Sequence, residues 1–220
     1  MELLEGIRTR RSFRAYKSTP IRPELLETVL EAARKSPSFA NTQPWEIAVV
    51  SGGTKDELSR ILCKLAESQT PANPDMPLPG TWPHGLEKRS GEHSTRRFKT
   101  LGLEKGGGQY RSELRMANFR FYGAPSAIFI FTDSCLTPWS TFDAGLFAQS
   151  LCLAAHSVGL GTCLQATLAN YPDAVRQFLG LPKTKRLVIG ISIGYPDFNA
   201  RINTYLSTRI GLDEFVRQYG

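Results

Sequence analysis

A chain of 220 residues with 41% hydrophobic content can bury one well-packed core, and it nowhere reaches the roughly 20 continuous apolar residues of a membrane helix. The net charge of +7 suggests nucleic acid, but the basic residues fall in two clusters without a DNA- or RNA-binding motif, so no nucleic-acid partner is expected. Four cysteines without a C-x-x-C pair, and three histidines without a His/Glu cluster, argue against a disulfide framework and against a metal site.

The opening Met1-Glu2-Leu3-Leu4-Glu5 lacks the basic stretch and apolar core of a secretory leader, so the expected protein is reduced, cytoplasmic and soluble. Leu3, Leu4 and Ile7 recur at helical spacing over 2–9, and 10–19 reads as irregular. Pro23 suits a first helical position, and Leu25, Val29, Leu30 and Ala33 give the next helix its apolar stripe. Ser36-Pro37-Ser38 stops that helix near Lys35. Ile47-Ala48-Val49-Val50 reads as a short buried strand, and Thr54 with Glu57 has capping-box spacing for a helix through Leu65.

Composition shifts over 69–85, where Pro71, Pro74, Pro77, Pro79 and Pro83 exclude regular structure. Too few residues precede this stretch for an independent domain. It therefore reads as a surface excursion of a single domain spanning 1–220, and long loops of this kind often cover sites. A basic helical pair follows over 87–121, broken at Gly106-Gly107-Gly108, with Glu87, Glu92, Glu104 and Glu113 interleaved as on a solvated face. Residues 127–131 form an emphatic strand, and 139–158 a helix apolar around nearly its whole circumference, which places it centrally or between subunits. Gly159 and Gly161 end it. A helix over 172–179, a strong strand over 186–193 and a polar tail complete an α+β pattern without regular alternation.

The chain has no Walker A loop and no G-x-G-x-x-G after a strand, and its G-x-S-x-G string, Gly190 to Gly194, runs along the strand read over 186–193 and so is not a nucleophile elbow. Cys163 has no neighbour in sequence to activate it and reads as a buried structural thiol. Two segments remain. Arg10-Arg11-Ser12-Phe13-Arg14 offers guanidinium groups and free backbone N–H groups to a phosphate, or is equally a solvated basic turn. Pro37-Ser38-Phe39-Ala40-Asn41-Thr42-Gln43-Pro44-Trp45 is a stiff loop whose hydroxyl, amides and indole suit a planar heterocycle, or simply a rigid loop capped by a core tryptophan.

Together these two segments resemble the nitroreductase family, which opens with R-R-S-x-R and continues with a P-S-x-x-N-x-Q-P-W loop. The resemblance extends through Asn118-Phe119-Arg120-Phe121-Tyr122-Gly123-Ala124-Pro125, Gly159-Leu160-Gly161-Thr162-Cys163, Ile193-Gly194-Tyr195-Pro196 and Ser207-Thr208-Arg209. It implies an α+β sandwich with a central, mainly antiparallel sheet flanked by helices, and an intertwined homodimer with FMN at the subunit interface. It also implies that Arg10 and Ser12, with Arg11 nearby, hold the phosphate and ribityl chain, that Arg14 faces the N1/C2 edge, and that Arg209 adds a phosphate contact. Pro37, Ser38, Asn41 and Gln43 would reach the flavin from the partner, and Leu164, Gln165 and Ala166 would cover it.

The implied activity is ping-pong hydride transfer through flavin N5, from NADPH or NADH to a nitroaromatic or quinone-type acceptor, with no protein nucleophile. Trp82, Tyr110 and Phe119 of the 69–121 excursion would wall the substrate pocket. The basic run there would either favour anionic acceptors or remain a solvated face. A same-fold reductive dehalogenase, ene-reductase or flavin-cleaving enzyme stays open as an alternative, as does a non-catalytic FMN-binding protein.

Overall fold

The strand Ser126–Asp133 (β2) sits at the centre of the protein, with every residue but the last buried. Ala127, Phe129 and Phe131 project to one side of it, and Ile128 and Ile130 to the other. This two-fold alternation of apolar groups requires cover on both faces, so β2 can only be an interior strand. The computed structural model describes residues 1–103 and 107–220. In it, β2 lies between Glu46–Ser51 (β1) and Lys185–Gly194 (β4), with Gly161–Gln165 (β3) outside β4, all neighbours antiparallel. Ile130 pairs with Ile189 but Phe131 pairs with Leu187, so Val188 is an extra residue. The bulge returns Leu187 to the Phe131 face, whereas Ile191 and Ile193 stay on the Ile130 face.

Among the described residues there are eight helices: Leu3–Thr9 (α1), Pro23–Ala33 (α2), Gly52–Glu67 (α3), His84–Leu101 (α4), Gly107–Phe119 (α5), Pro138–Ser157 (α6), Pro172–Leu179 (α7) and the short Leu212–Phe215 (α8). On one face Leu58, Leu62 and Ala66 of α3, Phe119 of α5 and Val175 of α7 pack with Phe129 and Leu187. On the other, Val29 and Ala33 of α2 and Ala144, Phe147, Leu151 and Ala155 of α6 pack with Ile128 and Ile191. No helix is long and apolar enough to cross a membrane among the described residues. The result is the α+β sandwich expected from the sequence.

Four readings are corrected in detail. The 47–50 strand is the sheet edge, with only Val50 buried, because among the described residues no strand pairs with β1 on its outer side. The following helix begins at Gly52, ahead of the Thr54–Glu57 pair, with no side-chain cap. The basic helical pair breaks first at Gly102, whose φ of 71° closes α4 with a left-handed turn. Gly107 and Gly108 already belong to α5, and the predicted break at Gly106, like Glu104, falls outside the described residues. Finally, Gly159 (φ 82°) ends α6, but Gly161 opens β3, a strand absent from the sequence reading.

The Pro-rich stretch is tied down at several points: the Tyr171 hydroxyl donates to the Thr70 carbonyl at 3.2 Å, the Asn73 N–H donates to the Asn170 carbonyl at 2.9 Å, and Asp75 makes the strongest link. Asp75 accepts the backbone N–H of Leu187 at 2.8 Å and pairs with the buried Arg176 of α7, which also bonds Asp173 and the Lys185 carbonyl. This lays Pro74, Met76, Pro77 and Leu78 against Thr141, Gly145 and Gln149 of α6 and against Leu164 and Ala166, around a groove of about 380 Å³.

Close packing under β4 generates a first prediction. A Cβ on Gly190 would stand 2.6 Å from Leu168 Cδ1 and 2.7 Å from its Cβ. Gly190→Ala is expected to destabilise the protein by about 1–3 kcal/mol. Leu168→Ala should cost about 2–5 kcal/mol alone. Denaturant midpoints of the double variant should show a loss smaller than the sum of the two, and strict additivity would contradict the contact.

Candidate active site

The segment after α1 is not a free turn but an extra edge laid beside β3. Ser12 bridges Thr162 in parallel, the Phe13 N–H donates to the Thr162 carbonyl at 3.0 Å, and Lys17 N–H donates to Tyr195 O. Phe13 is buried, and it fits because residue 161 has no side chain: a Cβ there would meet the Phe13 ring at 2.6 Å and Pro196 at 2.7 Å. One buried amide fixes the next step. Asn203 Oδ1 accepts the Arg14 N–H at 2.7 Å, while its Nδ2 donates to the carbonyls of Ala15 and Asp197 at 2.9 and 2.8 Å. The backbone of 12–17 is thus tied on both sides, and its arginines project from a fixed track.

These ties gather Arg10, Arg11, Ser12, Arg14 and Arg209 around one small pocket, with His93, Tyr205 and Ser207 completing its wall. Arg209 reaches it from the tail, its Nη1 donating to Ser207 Oγ at 2.8 Å and the Thr208 carbonyl at 3.0 Å. Arg11 lies over the Phe13 ring at 4.8 Å. Among the described residues no carboxylate pairs with any of these four guanidinium groups. The field registers on both nearby imidazoles. Burial and then Arg97, Arg14, Arg96 and Arg209 lower the His93 pKa, and burial with Arg10 and Arg11 lowers that of His156. Burial pushes the Cys163 thiol up, which fits the structural reading of that residue.

The P-S-x-x-N-x-Q-P-W loop lies elsewhere in the same chain. Phe39 N–H donates to both oxygens of the buried Asp143 at 3.2 Å, and Trp45 packs on Phe147 at 5.0 Å, so the loop is seated on the N-terminal half of α6. The arginine segment is seated at the other end, where Thr9 Oγ1 and His156 Nε2 lie 2.7 Å apart. Asp143 and His156 are separated by roughly 20 Å of helix. One protomer therefore does not bring Pro37, Ser38, Asn41 and Gln43 onto the arginine pocket. The loop itself is tightly wound. Ala40, Asn41 and Gln43 all have left-handed φ (50°, 55° and 46°), Gln43 N–H donates to Ser38 Oγ at 2.9 Å, and Gln43 Nε2 donates to Asn41 O. Left-handed backbone costs a non-glycine residue about 1–2 kcal/mol, and such strain gathers at sites that bind.

The remaining expected residues divide. Leu164 and Ala166 line the groove under the Pro-rich stretch. The side chain of Gln165 points away from it, buried and bonded to Asn118 and Ser192, so only its backbone is free for a ligand role. Tyr110 is half-buried beside Phe98. Trp82 is exposed near the start of α4 and lines none of the site's grooves. Phe119 is not a pocket wall. It is fully buried against Tyr171 and the sheet, because it lies on the inward face of an amphipathic helix. Asn203, Tyr205 and His93 escaped the sequence reading, since each is a lone residue that acquires its role only across more than 100 positions of chain.

With this geometry in view, the comparisons with known proteins agree. The model of the Nitroreductase family matches residues 7–195, and the chain belongs to that family. It is 35% identical over 198 residues to a 4-nitrobenzoate reductase of Pseudomonas putida (90% of this chain, 87% of the relative). It is 34% identical over 212 residues to nitroreductase NfnB of Mycolicibacterium smegmatis (96% and 90%). The crystal structure of FMN-dependent NfnB from Mycobacterium smegmatis with NADPH superposes with a TM-score of 0.93 at 32% identity, covering all of both chains.

The lowered imidazole pKa values fix the sign of a pH effect. A histidine held below its ordinary value of 6.5 is kept neutral by the fold, so the unfolded chain takes its proton first. That stability is fully present above about pH 6.5 and is lost as pH falls through the lower folded value. The melting temperature of the cofactor-free protein should therefore fall as pH is lowered below about 6.5. His93→Gln should flatten the slope, and added phosphate, by offsetting the guanidinium charges, should flatten it too. A slope indifferent to His93→Gln and to phosphate would contradict this field.

Proposed function

We propose that this chain is an FMN-dependent NAD(P)H oxidoreductase of the nitroreductase type, reducing nitroaromatic or quinone-type acceptors by a ping-pong cycle. The carrying observation is the pocket where four guanidinium groups converge with no paired carboxylate among the described residues, on a backbone held by Asn203. That donor set fits a phosphate dianion, because arginine makes paired, charge-assisted bonds to it and, among the described residues, the N–H groups of Arg11 and Ser12 are left over once those of Arg10, Phe13 and Arg14 have bonded within the fold. Arg10, Arg11, Ser12 and Arg209 would hold the phosphate and ribityl end of FMN, and Arg14 its pyrimidine edge.

FMN, held by these residues, would supply the two-electron chemistry that links a nicotinamide donor to the acceptor. The chain's own part is to bind, orient and exclude water. Arg14, half-buried and fixed through its N–H, provides a permanent cation where negative charge develops, which favours the reduced state. Leu164 and Ala166, under Pro74–Leu78, give an apolar surface against a flat ring. No acid–base dyad is called for. Relatives named for 4-nitrobenzoate reduction and an NADPH complex of a structural neighbour support the choice of acceptor and donor.

The working unit we propose is a homodimer. The loop carrying Ser38, Asn41 and Gln43 sits roughly 20 Å along α6 from the arginines, so a second copy of the chain would bring it to the cofactor. Apolar surface awaits cover: Trp139 and Phe142 of α6 are exposed, and a groove of about 940 Å³ is lined by Ile7, Phe198 and Leu206. A cytoplasmic location suits the exposed thiol of Cys135 and the absence of any paired cysteine.

An absorbance titration tests the reading. The protein with FMN should lose its flavin peaks on anaerobic NADPH or NADH and regain them with a nitroaromatic. A protein that takes up no FMN would sink it, and one that binds FMN without being bleached by either nucleotide would be a carrier and not an enzyme. Each of Arg10→Ala and Arg209→Ala should weaken FMN binding by about 10- to 100-fold, the worth of a charge-assisted bond. Flavin fluorescence titration reads this directly.

A further inference from the structure

Helix α4 divides its basic residues between two faces. Arg96 faces outward and pairs with Glu92, one turn away, at 3.6 Å. Arg97 lies about 100° further round the helix, on the line of His93 and the buried Leu101, where the Tyr205 hydroxyl of the tail lies 3.0 Å from His93 Nδ1. Its Nε is shut off from solvent and has no hydrogen-bond partner, and among the described residues no carboxylate pairs with it. Burial, and after it the charge of Arg14, lower its pKa, and the hydroxyl groups of Tyr122, Tyr110 and Tyr205 also act on it. Aromatic surface adjoins it. Its Cζ is 5.9 Å from the Phe98 ring, which meets Tyr110 edge-on at 5.7 Å, with Arg111 on the same ring at 5.8 Å.

A half-buried guanidinium with an unbonded Nε, beside a second cation, is a costly arrangement that a ligand anion would offset. The FMN phosphate would engage Arg10, Arg11 and Arg209. Arg97 comes from a different element, is not tied to the 10–14 track, and stands beside flat aromatic rings. We propose that Arg97 is the receptor for a carboxylate on the acceptor, so that the enzyme selects anionic aromatic acceptors over neutral ones of the same shape. The planar fork of a guanidinium matches a carboxylate in two parallel bonds, and Phe98 and Tyr110 supply apolar surface for the ring that carries it. The assignment rests on the flavoenzyme reading above, and it names a specificity residue within it.

The experiment compares wild type, Arg97→Gln and Arg97→Lys, each first shown to bind FMN with unchanged affinity. With 4-nitrobenzoate, kcat/KM should fall about 20- to 100-fold in Arg97→Gln, and by less in Arg97→Lys, which keeps charge but loses the fork. With the neutral 4-nitrobenzamide it should change less than about threefold. Benzoate, which cannot be reduced, gives a reading free of turnover. Its calorimetric Kd should weaken in parallel with the 4-nitrobenzoate effect, and benzamide should bind wild type and variant alike. Equal losses with both nitro compounds would assign Arg97 a structural part and overturn the proposal. A raised KM for NADPH with 4-nitrobenzoate selectivity intact would assign the cation to the donor's phosphates and overturn it as well. If wild type turns over no nitroaromatic, the flavoenzyme reading fails, and the benzoate titration still decides whether Arg97 receives a carboxylate.

Discussion

The site depends on how residues 12–17 are attached to the sheet. Phe13 enters the core over a residue that has no Cβ, and the Asn203 amide takes the Arg14 N–H while giving its own hydrogens to Ala15 and Asp197. Three separate stretches of chain, near 14, 161 and 203, are locked by these few contacts. An arginine side chain has several free torsions, and only a fixed backbone lets a cluster of them converge without neutralising partners. The glycines and amide near the site therefore bind nothing themselves. They decide where the charge stands.

That charge works against folding. Unpaired guanidinium groups repel one another, and the pKa values of two histidines nearby are lowered, by burial first and by the same field after it. The apolar sandwich carries the cost, with Phe119, Phe121, Phe129, Phe131 and Leu187 all fully buried on one face of the sheet. Binding an anion to such a pocket stabilises the folded state by mass action, so the ligand completes an arrangement that the chain alone leaves strained.

Legibility from sequence followed a physical rule: elements defined by local pattern were readable, and those defined by distant partners were not. Pro172 and the apolar face after it gave α7 its observed limits, and the alternating Ala127–Phe131 run could only be interior. By contrast β3 contains Thr162 and Gln165 after a helix stop, and becomes a strand only because β4 pairs with it and Asn118 and Ser192 satisfy the Gln165 amide. Of the arginine pocket, Arg10, Arg11, Ser12 and Arg14 were legible because they fall within one five-residue run, and Arg209 through Ser207-Thr208-Arg209, whereas His93 and Tyr205 were not. Arg97 was not, since in a run of alternating charges nothing local says which face docks. Phe119 was misplaced for the same reason: an aromatic in a helix lines a pocket or fills a core according to the rotation of the helix, which α3 and the sheet decide.

Helix α6 sets a spacing as well as a core. It seats the wound loop at one end and the arginine track at the other, and its rigid length keeps them apart in every protomer. In the dimer proposed above, the two halves of each pocket are then inherited from different chains. A chain lacking Arg10 and a chain lacking Asn41 would each form homodimers with no sound pocket. Mixed together they would pair to give one pocket with both defects and one with none. Two inactive proteins would regain activity on mixing, capped at half per dimer, and the exchange of protomers would set how fast it appeared.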